Sequence, residues 1–174
     1  MNATSKSTMQ NLSVSLKKML LSEDFDRITI SDLVKAAGYN RKTFYYHFDS
    51  MNSLLEWCIK DDTEEFLTSY DIDKGFSKIL GFVMDYLEQN AKLLKSASQT
   101  VGSGVIHRSI YRMLYPAVMN EILNKKENKQ YDREYLDFLG DFYTEAIAGI
   151  LQKWLEKPEL RNRRLIAENL KLLF

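Results

Sequence analysis

Only two prolines and seven glycines interrupt this 174-residue sequence. Its apolar residues recur at three and four rather than at two, and with so few helix breakers that spacing predicts an all-α chain. No Gly-x-Gly loop joins a strand to a helix, which removes the common nucleotide-binding folds. The single cysteine, Cys58, rules out an intramolecular disulfide. No Cys/His cluster has metal-ligand spacing, so a reducing compartment without zinc is expected. No apolar run approaches the roughly 18 residues of a spanning helix, and the polar start MNATSKSTMQNLSVSL has no apolar leader core. The expectation is a cytoplasmic protein with no membrane segment and no cofactor. Net charge is absent as well, 24 Lys+Arg balancing 24 Asp+Glu at a pI near 6.7. A globally basic nucleic-acid binder is thereby excluded, and any such role must come from a local patch. What is present is 45% hydrophobic residues, enough to build the core of one unit or of a small module joined to a larger one.

The first helix is predicted over Lys6–Leu21, burying Met9, Leu12, Leu16, Met19 and Leu20, with Phe25 and Ile28 plugging the loop that follows. Thr29 precedes Asp32 by three, the spacing of a capping box, so a short helix is expected over Ile30–Ala37. Gly38 ends it, because glycine takes positive φ without penalty. Asn40 then caps a helix over Arg41–Phe48 whose buried side is Phe44 and Phe48. Two short helices around Gly38-Tyr39-Asn40 match a helix-turn-helix, in which the second helix enters the major groove of DNA. Two helices of an ordinary bundle account for the apolar positions equally well. They account less well for the outward row Arg41, Lys42, Thr43, Tyr45, Tyr46 and His47, which offers donors and rings instead of the usual Glu/Lys mixture. Charge agrees: residues 1–54 hold seven Lys/Arg and five Asp/Glu, and no acid falls between Asp32 and Asp49 while Lys35, Arg41 and Lys42 do.

The run Ile28-Thr-Ile-Ser-Asp-Leu-Val-Lys-Ala-Ala-Gly-Tyr-Asn-Arg-Lys-Thr-Phe-Tyr-Tyr-His-Phe48 followed by Leu54-Leu55 resembles the TetR/AcrR family of bacterial transcriptional regulators. With Trp57 added, it is similar within that family to regulators of dihydroxyacetone kinase operons. The resemblance covers about the first 55 residues. It implies a homodimer on a palindromic double-stranded DNA operator, one helix-turn-helix per half-site. Arg41 and Lys42 then reach base edges, Thr43 and Tyr45 lie near phosphates, and Tyr46 and His47 face groove or backbone. Thr29 and Ser31 begin the preceding helix where a phosphate is favoured, and Tyr39 touches backbone. One departure is Met51, three residues after Phe48, where the family commonly has a phosphate-binding Lys; with Asp49 beside it, weaker DNA binding is implied.

Beyond the reader, a fourth helix should start near Ser50 with Leu54, Leu55, Cys58 and Trp57 inward. Residues 73–90 carry an amphipathic stripe, Phe76, Ile79, Leu80, Val83, Met84 and Leu87. A short helix over Ala91–Ser98 and a break at Thr100–Gly104 follow. Pro116 is expected to kink or end the helix over Val105–Lys125, and Asn124–Gln130 to be a solvated loop. Helices over Tyr131–Glu156 and, after Pro158, Leu160–Phe174 offer the dimer surface: Phe138, Phe142, Ala146, Gly149, Ile150 and Trp154 on the first, Ile166, Leu170, Leu173 and Phe174 on the second. By resemblance a small effector binds among the middle helices, with Trp57, Phe82, Tyr86, His107, Tyr111, Tyr115, Phe142 and Tyr143 as candidates.

The reading is therefore an all-α TetR-like regulator, residues 1–50 a DNA-binding domain and 51–174 an effector-binding and dimerisation domain, with no catalytic constellation. A repressor released by a small molecule is the first expectation. The alternative is an activator or interaction module working through a partner or ligand.

Overall fold

The computed structural model describes residues 3–69, 71, 74–157 and 162–173, and among these it has nine α-helices and no strand. They are α1 (Ala3–Met19), α2 (Ile30–Ala37), α3 (Arg41–His47), α4 (Met51–Ser69), α5 (Phe76–Gln89), α6 (Ala91–Thr100), α7 (Ser103–Asn124), α8 (Arg133–Glu156) and α9 (Arg163–Lys171). None of the described helices is long and apolar enough to cross a membrane. Pro158, Leu160 and Phe174, and residue 73 where α5 was expected to begin, lie outside the described residues.

The chain divides into two compact units. The first comprises residues 1–62 and 90–105, the second residues 63–89 and 106–174. In the first unit α1 packs on α2 and α2 on α3; Met9, Leu12 and Leu16 of α1 and Leu20 just beyond it are buried, while Met19, expected with them, is half-buried. Phe25 and Ile28 are buried beneath the α1–α2 connection, the former opening a 3-10 turn, Phe25–Arg27. Lys92 of α6 closes the same connection by donating to the Leu21 carbonyl at 2.9 Å. Along α4 the buried side is Leu54, Leu55, Cys58, Ile59 and Thr63, with Trp57 half-buried.

Burial pushes the Cys58 thiol up to about 12, while a hydrogen bond with Ser13 and the charge of Lys17 pull the other way. A folded-state value above the unfolded one leaves stability intact below the unfolded pKa of about 8.5 and withdraws it as pH climbs beyond. The thiolate is the reactive form. Native protein at pH 8 is therefore expected to ignore an aromatic disulfide reagent that reacts in full once denaturant is added; rapid native reaction, followed at 412 nm, is the contrary result.

In the second unit α5 buries all six residues of its stripe and packs against α8 and α9. The Phe76 N–H donates to Glu121 Oε1 at 3.0 Å, so a side chain of α7 satisfies the first turn of α5. Arg163 ties α9 to α5 through ion pairs with Asp85 and Glu88. On α8 the inward face is Leu136, Gly140, Thr144, Ile147, Ala148, Leu151, Trp154 and Leu155. At Gly140 a Cβ would overlap Met119 Sδ and lie 3.4 Å from Tyr115 Cε2, so glycine is what lets α8 approach α7 there.

Three elements depart from sequence expectation. The glycine break shrinks to Val101-Gly102: Gly102 adopts φ +111 and its N–H bonds the Ala97 carbonyl at 3.0 Å, closing α6, and α7 restarts at once. Pro116 does not end α7, which runs from Ser103 to Asn124. The flanking buried residues Met113, Leu114, Ala117 and Val118 hold both halves to the core and outweigh one missing backbone bond. Residues Lys126–Gln130 form a 3-10 turn instead of an open loop, because Asn128 Nδ2 reaches back to the Ile122 carbonyl at 2.8 Å and satisfies the end of α7.

Candidate nucleic-acid interface

The local chemistry of α2 and α3 places the reader. Thr29 Oγ1 accepts from the Asp32 N–H at 3.2 Å and donates to the Asp32 carboxylate at 2.5 Å, which starts α2. Gly38 ends it at φ +76, its N–H turned to the Lys35 carbonyl. The Tyr39 N–H then bonds the Val34 carbonyl at 2.8 Å, so the turn is clamped before α3 begins. Asn40 Oδ1 accepts from the Thr43 N–H at 2.9 Å and from its hydroxyl at 3.2 Å. That cap orients α3 while Thr43 itself is half-buried.

Phe44 is fully buried and anchors α3 from beneath, its ring 5.7 Å from Phe48 and 5.6 Å, edge-on, from Tyr45. Phe48 in turn meets Trp57 of α4 at 5.9 Å. With the inner side fixed, Arg41, Lys42, Tyr45 and Tyr46 are left exposed, Tyr46 by 82%. The Arg41 guanidinium lies 6.0 Å from the Tyr45 ring centre, a cation–π distance that restricts a long side chain before any partner arrives. His47 is half-buried; its ring meets Tyr46 edge-on at 4.9 Å, and its Nδ1 lies 3.4 Å from Ser5 Oγ. Thr29 and Ser31 are exposed at the start of α2. Tyr39 is half-buried and accepts from Asn11 Nδ2 at 2.9 Å.

Ser5 and Asn11 escape sequence reasoning. Ser5 shares the helical phase of Met9, Leu12 and Leu16 and reads as a polar start to the buried stripe, while Asn11 stands on the exposed side, where a short polar side chain reads as ordinary solvated surface.

Phe82 and Tyr86 line a cleft of about 390 Å³ with Phe66, Ser69, Asp71, Lys74, Asp85 and Gln89. His107 and Tyr111 are tied across to α8: His107 Nε2 lies 2.6 Å from Glu145 Oε2, and the Tyr111 hydroxyl donates to Asp141 at 2.5 Å. Tyr115 stacks on Tyr111 at 5.4 Å. Partial burial, together with the Asp141 carboxylate, raises both phenol pKa values above the ordinary one. Trp57 belongs to the first unit beside Phe48, and Phe142 is 58% exposed with Tyr143 against its edge.

The surface set divides. Phe138 is 59% exposed and stacks between Tyr135 and Phe142; Ala146 and Leu173 are exposed, while Gly149, Ile150 and Ile166 are half-buried. Trp154 and Leu170 are 3% and 4% exposed and belong to the chain's own interior. For Trp154 the reason is helical phase, since it shares the inner face of α8 with Ile147 and Leu151.

Two family models match the chain. One, for bacterial regulatory proteins of the tetR family, covers residues 17–58, from α1 through the reader into α4. The other, for a transcriptional regulator C-terminal region of that family, covers residues 74–174, more than half of the sequence. The chain belongs to the TetR family. It is a transcriptional regulator, and TetR regulators bind DNA, typically dimerise and typically bind effectors. A curated TetR-like relative, the HTH-type dhaKLM operon transcriptional activator DhaS of Lactococcus lactis subsp. lactis (strain IL1403), is 26% identical over 83 residues, 48% of this chain and 44% of that one. The match thus spans less than half the relative's length. Among solved structures, the dihydroxyacetone kinase operon activator DhaS is similar over 95% of this chain and 97% of that chain, with a TM-score of 0.66 and 19% identity, and it shows the TetR fold: an N-terminal helix-turn-helix followed by a helical C-terminal region.

Proposed function

We propose that this TetR regulator binds a palindromic double-stranded DNA operator in the cytoplasm as a symmetric homodimer, one α3 per half-site. Residues 1–50 read DNA, and residues 51–174 dimerise and bind an effector. The observation that supports it is the outward row of α3, where exposed Arg41, Lys42, Tyr45 and Tyr46 stand on a helix capped by Asn40 and anchored by Phe44. Arg41 and Lys42 are assigned to base edges, Thr43 and Tyr45 to phosphates, Tyr46 and His47 to groove or backbone, and Thr29, Ser31 and Tyr39 to the backbone beside the preceding helix. Half-sites one turn apart need readers about 34–36 Å from each other. Footprinting on the DNA upstream of its own gene is the direct test, and it should protect two inverted half-sites.

The dimer surface we assign to the exposed and half-buried subset, Phe138, Phe142, Ala146, Gly149 and Ile150 of α8 with Ile166 of α9 and Leu173 just beyond it. Replacing Phe138 and Phe142 together by glutamate puts charge where two copies meet. The variant is expected to sediment as a folded monomer and, binding one half-site at a time, to lose on the order of 100-fold in operator affinity. A variant that stays dimeric counts against this surface.

For an effector, the cleft at Phe82 and Tyr86 has the size and aromatic lining of a small-molecule site. On the sign of regulation, the names of both relatives support activation of a dihydroxyacetone kinase operon over release of a repressor. Deleting the gene should then lower transcription of such an operon; a rise restores the repressor reading.

A further inference from the structure

We propose that Asn11, on α1, is a positioning residue for DNA binding: its amide fixes the hydroxyl proton of Tyr39 in the direction of a DNA phosphate. The inference rests on the DNA-reading function argued above.

A phenol oxygen carries one proton and accepts as well. Conjugation keeps the O–H bond in the ring plane, so the proton has two places, one on either side of the oxygen. Asn11 Nδ2 donates to that oxygen at 2.9 Å and occupies one side. The proton is sent to the other. Among the described residues the Tyr39 hydroxyl accepts from Asn11 and has no acceptor for its own proton. The root of the side chain is fixed too, because the Tyr39 N–H is bonded to the Val34 carbonyl and the next residue, Asn40, caps α3. Backbone and tip are thus held from two helices, leaving one oriented donor at the turn where a helix-turn-helix meets the DNA backbone. The opposite end of α3 is braced from the same helix, Ser5 Oγ lying 3.4 Å from His47 Nδ1.

The polarity of residue 11 is what matters. An amide nitrogen gives a proton to the phenol oxygen and leaves its O–H free; a carboxylate of the same shape accepts that O–H and consumes the donor. Asn11→Asp should therefore weaken binding to the footprinted operator roughly tenfold per half-site, the size of a lost hydrogen bond to a charged group. Tyr39→Phe should do about the same.

The deciding measurement is a double-mutant cycle by fluorescence anisotropy. In the Tyr39→Phe background Asn11→Asp should add little, and that residue measures the repulsion between its charge and DNA. A duplex with one methylphosphonate at the contacted phosphate should cost the wild type the same tenfold and cost the Asn11→Asp variant nothing further. A merely structural role couples the two positions in the cycle as well, but leaves the methylphosphonate cost the same in the wild type and in the Asn11→Asp variant. Asn11→Ala, which adds no charge, serves as the second variant, with an expected smaller loss that also vanishes in the Tyr39→Phe background. Equal losses with and without the Tyr39 hydroxyl, or no loss at all, overturn the proposal while leaving the DNA-reading function standing. A wild-type protein that protects no upstream duplex overturns that function itself.

Discussion

Replacing Arg41 and Lys42 together by alanine should abolish operator retention while leaving a folded dimer. Both side chains are exposed at the start of α3, and neither takes part in the packing that holds the helix, which Phe44 supplies from the other side. Each specific base contact is worth about 1–3 kcal/mol of discrimination, and the pair recurs in both subunits, so the expected loss exceeds 100-fold. Gel retardation, with sedimentation to verify the dimer, measures the loss. Wild-type footprinting by this variant would sink the assignment of α3 as the reader.

The opposite experiment attacks the other side of the same helix. Phe44→Ala empties a fully buried site bounded by Phe48 and Tyr45, and large aromatic-to-alanine changes in cores cost about 3–5 kcal/mol. Set against a total stability of about 5–15 kcal/mol for a typical domain, that is enough to loosen the whole reader, with a cooperative loss of helix at a lower melting temperature. DNA binding goes with it, although no DNA-facing group is touched. Calorimetry separates the two cases: the Arg41/Lys42 variant should melt as the wild type does, and the Phe44 variant well below it. A Phe44→Ala protein of unchanged melting temperature would mean that α3 is held by something other than this ring.

The reader is legible in the sequence because its signals are local. Thr29 and Asp32 stand three apart, as do Asn40 and Thr43, and each pair closes a hydrogen bond within one helical turn. Gly38 marks its own conformation. Periodicity likewise identifies the buried stripe of α5, since it reports which face is apolar. It does not report what covers that face. Trp154 therefore reads as interface material from sequence and is in fact interior. Asn11 and Tyr39 lie 28 residues apart, and nothing in either neighbourhood announces the other. Pro116 shows the converse limit, a strong local signal overruled by buried residues on both sides of it.

Gly140 has a consequence for aim. Successive residues of an α-helix turn by about 100°, so Phe138 and Phe142, two positions to either side of Gly140, each point about 160° away from it. The contact that presses closest into Met119 and the rings that stand farthest from the core are thus set by one azimuth of α8. A Cβ at position 140 would have to displace the buried Met119 side chain or else the helix, and a shift of the helix would carry the aromatic ladder with it. Of the two glycines of this helix, Gly140 is the one that lies opposite the exposed ladder of Phe138 and Phe142.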